Sequence, residues 1–266
     1  MPEEKYLVGR NVLVTRERSQ ARALSQLLLD VGARPLECPL IAFSPPPDWT
    51  FVDECLGVLS AYDGILFTSV NAVKFFWERV RDKGLDTSPL RQVPCYAIGQ
   101  ATAGALKGVG VQVLAVPEQS QAEGLAALLG KEGPAGKRFL FPRAREARDL
   151  LPRFLLKAGA RVDLAVVYET RTAFENRPAL ERLLASERID YVTFTSPSAV
   201  SAFVDMAPEG SCGAFPKNTP AACIGGITAA AARKAGFLVV FTAPKATVQS
   251  LVAAIVEHGR SQPERL

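Results

Sequence analysis

Hydroxyl side chains and glycines recur in this sequence at nearly constant spacing, each time directly after a short apolar run. The members of the two copies stand 126 or 127 positions apart: Thr68 and Thr195, Ser69 and Ser196, Asn71 and Ser198, Gly99 and Gly225, Thr102 and Thr228. At a strand-to-helix junction such residues cap the helix and leave its first backbone N–H groups able to bind an anion. Capping alone would explain any one junction, but four junctions in two copies favour a shared anion-binding site.

Arginines accompany these junctions. Arg16 and Arg143 end corresponding apolar runs 127 positions apart, and Arg148 follows in the same basic segment. A charge-assisted hydrogen bond from a guanidinium to a carboxylate is worth about 1.5–3 kcal/mol, so these three side chains are candidates for carboxylate binding. Arg138 and Arg153, from the same segment, are assigned to the solvated surface.

One tyrosine breaks the symmetry of the repeat. Tyr168 stands in an extended apolar run of the second copy, where the first copy has Ile41. A phenol that replaces an apolar residue in one copy only is an asymmetry that could mark a functional residue. The alternative is an amphipathic aromatic residue of the core whose hydroxyl finds a partner.

Several kinds of chemistry are excluded by composition. His258 is the only histidine, at the end of the last helical pattern, where we expect it to be solvated, so histidine metal sites and histidine-based triads are not available. No phosphate-binding glycine motif is present. The cysteines form no Cys-x-x-Cys pair and are expected to be buried apolar residues in a reducing compartment: Cys38, Cys55, Cys95, Cys212 and Cys223.

Composition also limits the partners. The net charge of +4 is mild and no basic stripe is interleaved with aromatics, which argues against nucleic acid and is compatible with an acidic small molecule. The first five residues lack the apolar core of a signal peptide, and no apolar run reaches the roughly 18 residues of a membrane span. We therefore expect a cytoplasmic protein that binds no membrane.

The order of elements is the same in both copies. Each copy begins with an apolar run and an amphipathic helix, predicted at 19–31 and 147–158 and ended by Gly32 and Gly159. An extended run follows in each copy, at 37–43 and 164–172, and then three units of a short buried strand and a helix. Continuously apolar strands alternating with helices predict doubly wound parallel sheets, which bind ligands at the carboxyl ends of their strands.

Together, these segments resemble the uroporphyrinogen-III synthase family from Val12 to about Val256. The resemblance is carried by the order and spacing of six stretches, namely Val12-Leu13-Val14-Thr15-Arg16, Phe67-Thr68-Ser69-Val70-Asn71, Ile98-Gly99-Gln100-Ala101-Thr102, Val167-Tyr168-Glu169-Thr170, Phe194-Thr195-Ser196-Pro197-Ser198 and Ile224-Gly225-Gly226-Ile227-Thr228. One departure is Glu17, which follows Arg16 where the family often has proline.

The resemblance implies an α/β fold of two similar doubly wound parallel-sheet lobes, flavodoxin-like, joined by two extended crossover strands. Lobe one would comprise 1–36 plus 174–266, lobe two 44–163, and the crossovers 37–43 and 164–173. The repeat alone would place a boundary near 130–136. We follow the resemblance, because paired crossovers also explain the extra extended run in each copy.

The resemblance also implies an activity. A member of this family closes hydroxymethylbilane, a linear tetrapyrrole polycarboxylate, with inversion of ring D through a spiro intermediate and loss of water. The product, uroporphyrinogen III, leads to haem, sirohaem and cobalamin. Such a lyase uses no cofactor or metal and is expected here to be a monomer.

The family's functional residues can be carried over by position. Tyr168 would be the acid that helps the hydroxyl leave. Substrate contacts are expected from Arg16, Thr68, Ser69, Asn71, Thr102, Arg143, Arg148, Thr195, Ser196, Ser198, Gly225 and Thr228. Two alternatives stay open: a non-catalytic two-lobed module for a small polyanion, and a glycosyltransferase, which the lack of carboxylates at the predicted strand ends disfavours.

Overall fold

The computed structural model describes residues 6–117, 121–207 and 219–261 of the chain. These residues form two compact units, each described by itself below. The discontinuous unit comprises Met1–Phe43 and Arg171–Leu266, and the continuous unit comprises Ser44–Thr170. The chain therefore passes from one unit to the other twice.

Short strands alternate with helices throughout. The strands are β1 Asn11–Val14, β2 Arg34–Glu37, β3 Ile41–Ser44, β4 Gly64–Phe67, β5 Cys95–Ala97, β6 Val113–Ala115, β7 Arg138–Ala144, β8 Arg161–Thr172, β9 Tyr191–Phe194, β10 Ala221–Cys223 and β11 Val240–Thr242. The helices are α1 Arg18–Asp30, α2 Thr50–Gly57, α3 Val70–Asp82, α4 Ser88–Gln92, α5 Gln100–Gly108, α6 Ala122–Lys131, α7 Leu150–Lys157, α8 Arg177–Ser186, α9 Pro197–Met206, α10 Gly226–Lys234 and α11 Val248–Arg260. Short 3₁₀ turns cover Leu59–Ala61 and Phe174–Asn176.

The sheet of the discontinuous unit has the strand order β2-β1-β9-β10-β11, and all four pairings are parallel. Numbered along the chain within this sheet, the order is 2-1-3-4-5, the flavodoxin-like order. Leu13 packs in one apolar cluster, whereas Val12 and Val14 pack in another, so β1 is buried on both faces. This burial explains why its sequence is continuously apolar.

The sheet of the continuous unit has the order β8-β7-β4-β5-β6 with parallel pairings. When β7 and β8 are counted as the first two strands, this order is again 2-1-3-4-5. The first two strands of each copy thus share a sheet with the last three strands of the other copy. A boundary at 130–136 would separate β7 from β4, which pair directly.

These topologies confirm the predicted α/β fold of parallel doubly wound sheets. Gly32 and Gly159 end α1 and α7 with φ of 86° and 83°, as predicted for left-handed caps. The predicted start of α7 near 147 is wrong, since the helix begins at Leu150. Pro152 explains the difference: it has no N–H to donate, so it is tolerated in the first helical turn but not deeper.

Two further expectations need correction. The run 37–43 is not one continuous strand: β2 ends at Glu37 and β3 begins at Ile41, although the N–H groups of Cys38 and Leu40 still bond the carbonyls of Val14 and Thr15. His258 is half-buried rather than solvated, since its ring stacks on Phe241 at a centroid distance of 4.6 Å and its Nδ1 lies 3.3 Å from the Tyr191 hydroxyl. Burial lowers the pKa of His258.

The cysteines that the structure describes are buried free thiols: Cys38, Cys55, Cys95 and Cys223. Burial raises the pKa of Cys38 to about 11 and that of Cys95 to about 12, which keeps both thiols protonated and unreactive. Cys212 lies outside the described residues. Within the described ranges, no helix is long and apolar enough to cross a membrane.

Candidate active site

The predicted site residues lie at the carboxyl ends of neighbouring strands. In the continuous unit, Thr68 and Ser69 follow β4, Thr102 follows β5, and Arg143 is the penultimate residue of β7. Both sheets reverse strand order at one place, between β7 and β4 in one unit and between β1 and β9 in the other. Ligands of doubly wound folds bind at that reversal.

The discontinuous unit repeats this arrangement. Arg16 follows β1, and β9 and β10 lie next in the sheet, so that their carboxyl ends share one edge with β1. The residues that follow these strands are Thr195, Ser196, Ser198, Gly225 and Thr228.

Hydroxyls and glycines cap the four helices that start at these strand ends, as predicted. Ser69 accepts the Ala72 N–H at 3.0 Å, and Ser196 accepts the Ala199 N–H at 3.1 Å. Gly99 and Gly225 are the N-cap residues of α5 and α10 and offer no side-chain acceptor. The first N–H groups of these two helices are therefore open to another acceptor.

Gly225 and Gly226 leave space around the start of α10. A Cβ atom at either position would meet no heavy atom within 4 Å, and Gly225 has an extended φ of −176° that any residue could adopt. Neither packing within the described chain nor backbone conformation requires glycine here. Close approach of a ligand to the backbone would require it.

Tyr168 is fixed against the start of α3. Its hydroxyl lies 3.1 Å from the Ser69 Oγ, it also forms a hydrogen bond with Asn71, and its ring stacks on Phe75 at 5.5 Å with an angle of 15° between the planes. The side chain is almost wholly buried, with 8% of the residue exposed. Ser69 and Asn71 at the hydroxyl, and Phe75 on one face of the ring, thus restrict access to the side chain.

The electrostatics of this site keep the phenol protonated. Burial raises the pKa of Tyr168, hydrogen bonds with Ser69 and Asn71 oppose the rise, and the negative charge of Glu146 adds to it. An unperturbed tyrosine already has a pKa near 10. Tyr168 is therefore a neutral proton donor at pH 7.

The same place in the discontinuous unit has no phenol. Ile41 is the counterpart of Tyr168, and Ala202, 127 positions after Phe75, is the counterpart of the stacking ring. Both belong to one apolar cluster, at 6% and 0% exposure. The sequence analysis did not identify Phe75. Aligning the two copies would have identified it, because Phe75 and Tyr168 both differ from the residues at the corresponding positions of the other copy.

Thr102 and Thr228 hold corresponding positions in the first turns of α5 and α10, and each is only 4% exposed. Neither hydroxyl has a hydrogen-bond partner among the described residues, yet no fully buried side-chain nitrogen or oxygen in those residues lacks one. The hydroxyl must therefore be the part of each threonine that reaches the surface. Both are available to a ligand at their strand ends.

The arginines divide into bonded and open ones. Arg143 is buried, and its guanidinium bonds Asp149 at 2.8 Å, the Ala147 carbonyl and the Ala144 carbonyl. Arg145 pairs with Glu169. Within the described ranges, Arg148 is exposed and forms no hydrogen bond or ion pair, and it lies in the turn before α7.

Arg16 is half-buried, bonds the Gln20 side chain at 2.9 Å and forms no ion pair among the described residues. Burial lowers its pKa, and the negative charge of the adjacent Glu17 opposes that shift. Its neighbour Glu17 accepts the Ser19 N–H and caps α1. This capping role explains why Glu17 stands where the family often has proline. Carboxylates do occur near the strand ends, contrary to expectation: Glu17, Glu146, Asp149 and Glu169.

This geometry suits acid catalysis on a polyanion. A neutral buried phenol lies beside the N-terminus of α3, which attracts negative charge, and Arg16 and Arg148 stand near strand ends without an ion pair among the described residues. No group of acidic, histidine or cysteine side chains in the described residues could hold a metal ion.

Comparison with known proteins gives a consistent picture. The family model described as "Uroporphyrinogen-III synthase HemD" matches residues 22–253. A porphyrin biosynthesis protein HemD from Ruminiclostridium josui is 30% identical over 256 residues, 96% of this chain and 50% of that protein. The chain therefore spans half the length of this curated relative.

Two further similar proteins are named as uroporphyrinogen-III synthases. A uroporphyrinogen-III synthase from Synechococcus elongatus is 28% identical over 206 residues, 76% of each chain. A crystal structure of uroporphyrinogen-III synthetase from Helicobacter pylori shares the fold, with a TM-score of 0.64 and 23% identity over 94% of this chain and 99% of that one. Because the family model matches most of its length, this chain belongs to the uroporphyrinogen-III synthase family.

Proposed function

We propose that this protein is a lyase that closes hydroxymethylbilane to uroporphyrinogen III, with inversion of ring D and loss of water. The observation that carries the proposal is the placement of Tyr168: a protonated, buried phenol on β8 reaches the carboxyl end of β4, where it bonds the cap of α3. At this place the phenol can donate a proton to a substrate bound at the strand ends.

In this mechanism Tyr168 starts the reaction. It gives its proton to the hydroxyl of the terminal hydroxymethyl group, the carbon–oxygen bond breaks, and the electron pair leaves with the oxygen as water. The pyrrole stabilises the remaining cation. Such general acid assistance contributes typically about 10²–10⁴-fold to a rate.

The second task is geometric. Ring D must attack through its substituted carbon, forming a spiro intermediate, although in free solution the same chain closes without inversion. Holding the reacting atoms in one orientation can favour one of the two possible intramolecular closures over the other. Rigid strand ends and helix caps suit this task, since they grip the substrate without taking part in bond formation.

We assign the grip to the strand ends of both units. Arg16 and Arg148 would bind carboxylates by charge, and the open helix start at Gly225 would bind through backbone N–H groups. Neutral contacts are proposed for the hydroxyl residues Thr68, Thr102, Thr195, Ser196, Ser198 and Thr228. Arg143 could join only by exchanging Asp149 for a substrate carboxylate.

The test uses purified protein and freshly prepared hydroxymethylbilane, with the type I and type III isomers separated afterwards. We expect type III to dominate, and the Tyr168→Phe variant to give mostly the spontaneous type I product. An isomer ratio equal to that of a heat-inactivated sample would reject the assignment and favour a binding module.

We propose further that the protein works as a monomer in the cytoplasm. Its mild net charge of +4 gives no reason to expect recruitment to nucleic acid. Sedimentation at several protein concentrations tests the monomer directly, and a concentration-dependent rise in mass would reject it.

A further inference from the structure

We infer that Ser69 and Asn71 hold the phenolate of Tyr168 after proton transfer, and so act on the proton donor rather than on the substrate. This inference rests on the proposed function, because it gives these two residues a role in the step that Tyr168 performs. It differs from the expectation above that both residues contact the substrate.

The position of the Ser69 hydroxyl supports the inference. Its oxygen accepts the Ala72 N–H at 3.0 Å and lies 3.1 Å from the phenolic oxygen of Tyr168. A phenolate can only accept hydrogen bonds, and the serine proton is then the one that can reach it. Ser69 therefore links the phenolic oxygen to the backbone of the first turn of α3.

Asn71 provides a second donor. It lies in the first turn of α3 and forms a hydrogen bond with Tyr168. Its amide nitrogen carries two hydrogens. With Ser69, it gives a phenolate two donors in a buried place, where an unbonded negative charge would be costly.

The helix itself contributes in the same direction. Ser69 is the N-cap of the 13-residue helix α3, whose N-terminus carries about half a positive charge. Phe75 stacks on the Tyr168 ring from the same helix and keeps the phenolic oxygen at the helix start. The opposing influence is Glu146, whose negative charge disfavours the phenolate.

The proton balance is complete with these groups alone. Tyr168 loses its proton to the departing hydroxyl and becomes a phenolate, while water leaves with the electron pair of the broken bond. Closure of the ring later releases a proton from the substrate, which restores the phenol. Between these events, Ser69 and Asn71 stabilise the negative charge.

The discontinuous unit offers a matched control. Ser196 caps α9 in the same way as Ser69 caps α3, by accepting the N–H of the residue three positions later. Ile41, however, occupies the position that corresponds to the phenol. Ser196→Ala and Ser69→Ala therefore remove equal caps. Only the second removes a donor to Tyr168.

The first measurement is independent of activity. Tyrosine ionisation is followed by ultraviolet absorbance during alkaline titration, and the difference between each protein and its Tyr168→Phe counterpart reports Tyr168 alone. We expect Ser69→Ala to raise the titration midpoint of Tyr168 by about one pH unit or more, because a donor to the charged form is lost. Ser69→Thr should restore it, and Ser196→Ala should not move it.

The second measurement is a double-mutant cycle on turnover. We expect Ser69→Ala and Asn71→Ala each to lower kcat about tenfold with KM unchanged, and to cause no further loss in the Tyr168→Phe background. If Ser196→Ala lowers kcat, it should lower kcat by the same factor in the Tyr168→Phe background. Asn71→Ala carries the test if Ser69→Ala fails to fold, since Asn71 does not cap α3.

An unchanged Tyr168 midpoint in both variants overturns the inference. A rise in KM at constant kcat, or losses that add to that of Tyr168→Phe, also overturns it, since either result assigns the two residues to the substrate. Failure of the proposed function is distinguishable, because the wild-type protein would then produce no excess of type III isomer whatever the titration shows.

Discussion

The continuous and discontinuous units share a strand order and a set of helix caps, but they differ at one corresponding place. The continuous unit has Tyr168 stacked on Phe75, whereas the discontinuous unit has Ile41 and Ala202 in an apolar cluster. The shared parts are helix caps whose backbone N–H groups suit an anion, and the differing part is a buried phenol. The two copies thus have a common scaffold, and one pair of aromatic residues is specific to the continuous unit.

The arginines near the strand ends also differ between the two units in how they are paired. In the continuous unit, Arg143 and Arg145 are paired with carboxylates of their own chain, while Arg148 is open. In the discontinuous unit, Arg16 bonds only the neutral side chain of Gln20. Among the residues that the structure describes, Arg16 and Arg148 thus lie near strand ends without forming an ion pair.

The largest expected effect comes from removing the acid. Tyr168→Phe should lower turnover by about 10²–10⁴-fold while the protein stays folded, because the ring and its stack on Phe75 are kept. Steady-state rates and circular dichroism measure the two parts. Ile41→Val is the matched change in the other unit, and it should alter stability by about 0.5–1.5 kcal/mol without altering turnover. Equal rates for Tyr168→Phe and wild type would remove the asymmetry from the mechanism.

Phe75, whose ring stacks on Tyr168, is the second member of the aromatic pair to be tested. Phe75→Ala should destabilise the protein by about 3–5 kcal/mol, since a large buried side chain leaves a cavity. At the corresponding position, Ala202→Phe should also destabilise, by about 1–3 kcal/mol, because it overfills a packed cluster. Urea unfolding measures both. If Ala202→Phe leaves the free energy of unfolding unchanged, the discontinuous unit has room for the ring.

The two threonines should behave alike. Thr102→Val and Thr228→Val each remove a hydroxyl that reaches the surface, so we expect little change in unfolding free energy and a loss of about 0.5–1.5 kcal/mol in transition-state binding, a few-fold in kcat/KM. Kinetics and thermal unfolding on the same samples separate the two quantities. A large stability loss with normal kcat/KM would assign the hydroxyls to folding.

The smallest effect concerns charge. Arg148→Ala should weaken substrate binding several-fold at low ionic strength and less at high salt, because an exposed cation attracts carboxylates through screened electrostatics. KM at two salt concentrations provides the measurement. Arg153→Ala, an exposed arginine within α7, is the control, and an equal loss in that variant would indicate a general rather than a local attraction.

Local chemistry made much of this structure predictable. Continuously apolar runs marked the strands, Ser69 and Ser196 marked the starts of α3 and α9, and Gly32 marked the end of α1. Each of these features depends on neighbours within one helical turn or one strand. Pro152 carried the same kind of local information about the start of α7, which the predicted boundary did not use.

Contacts between distant segments were not predictable in the same way. Ser69 and Tyr168 are 99 positions apart, and their hydrogen bond exists only because β8 and β4 flank β7 in one sheet. Arg143 was expected to be open because of its residue type and its place after an apolar run. Its bond to Asp149 depends on the turn before α7, whose geometry neither residue specifies alone.

The exchange of opening strands between the copies sets the order in which the units can be completed during translation. Every strand from β4 to β8 is synthesised before β9, so the continuous unit can begin to fold before the discontinuous unit is complete. The earliest strands, β1 and β2, must wait for β9–β11. The segment synthesised first is thus among the last to find its permanent neighbours, and its apolar surface needs shielding in the interval.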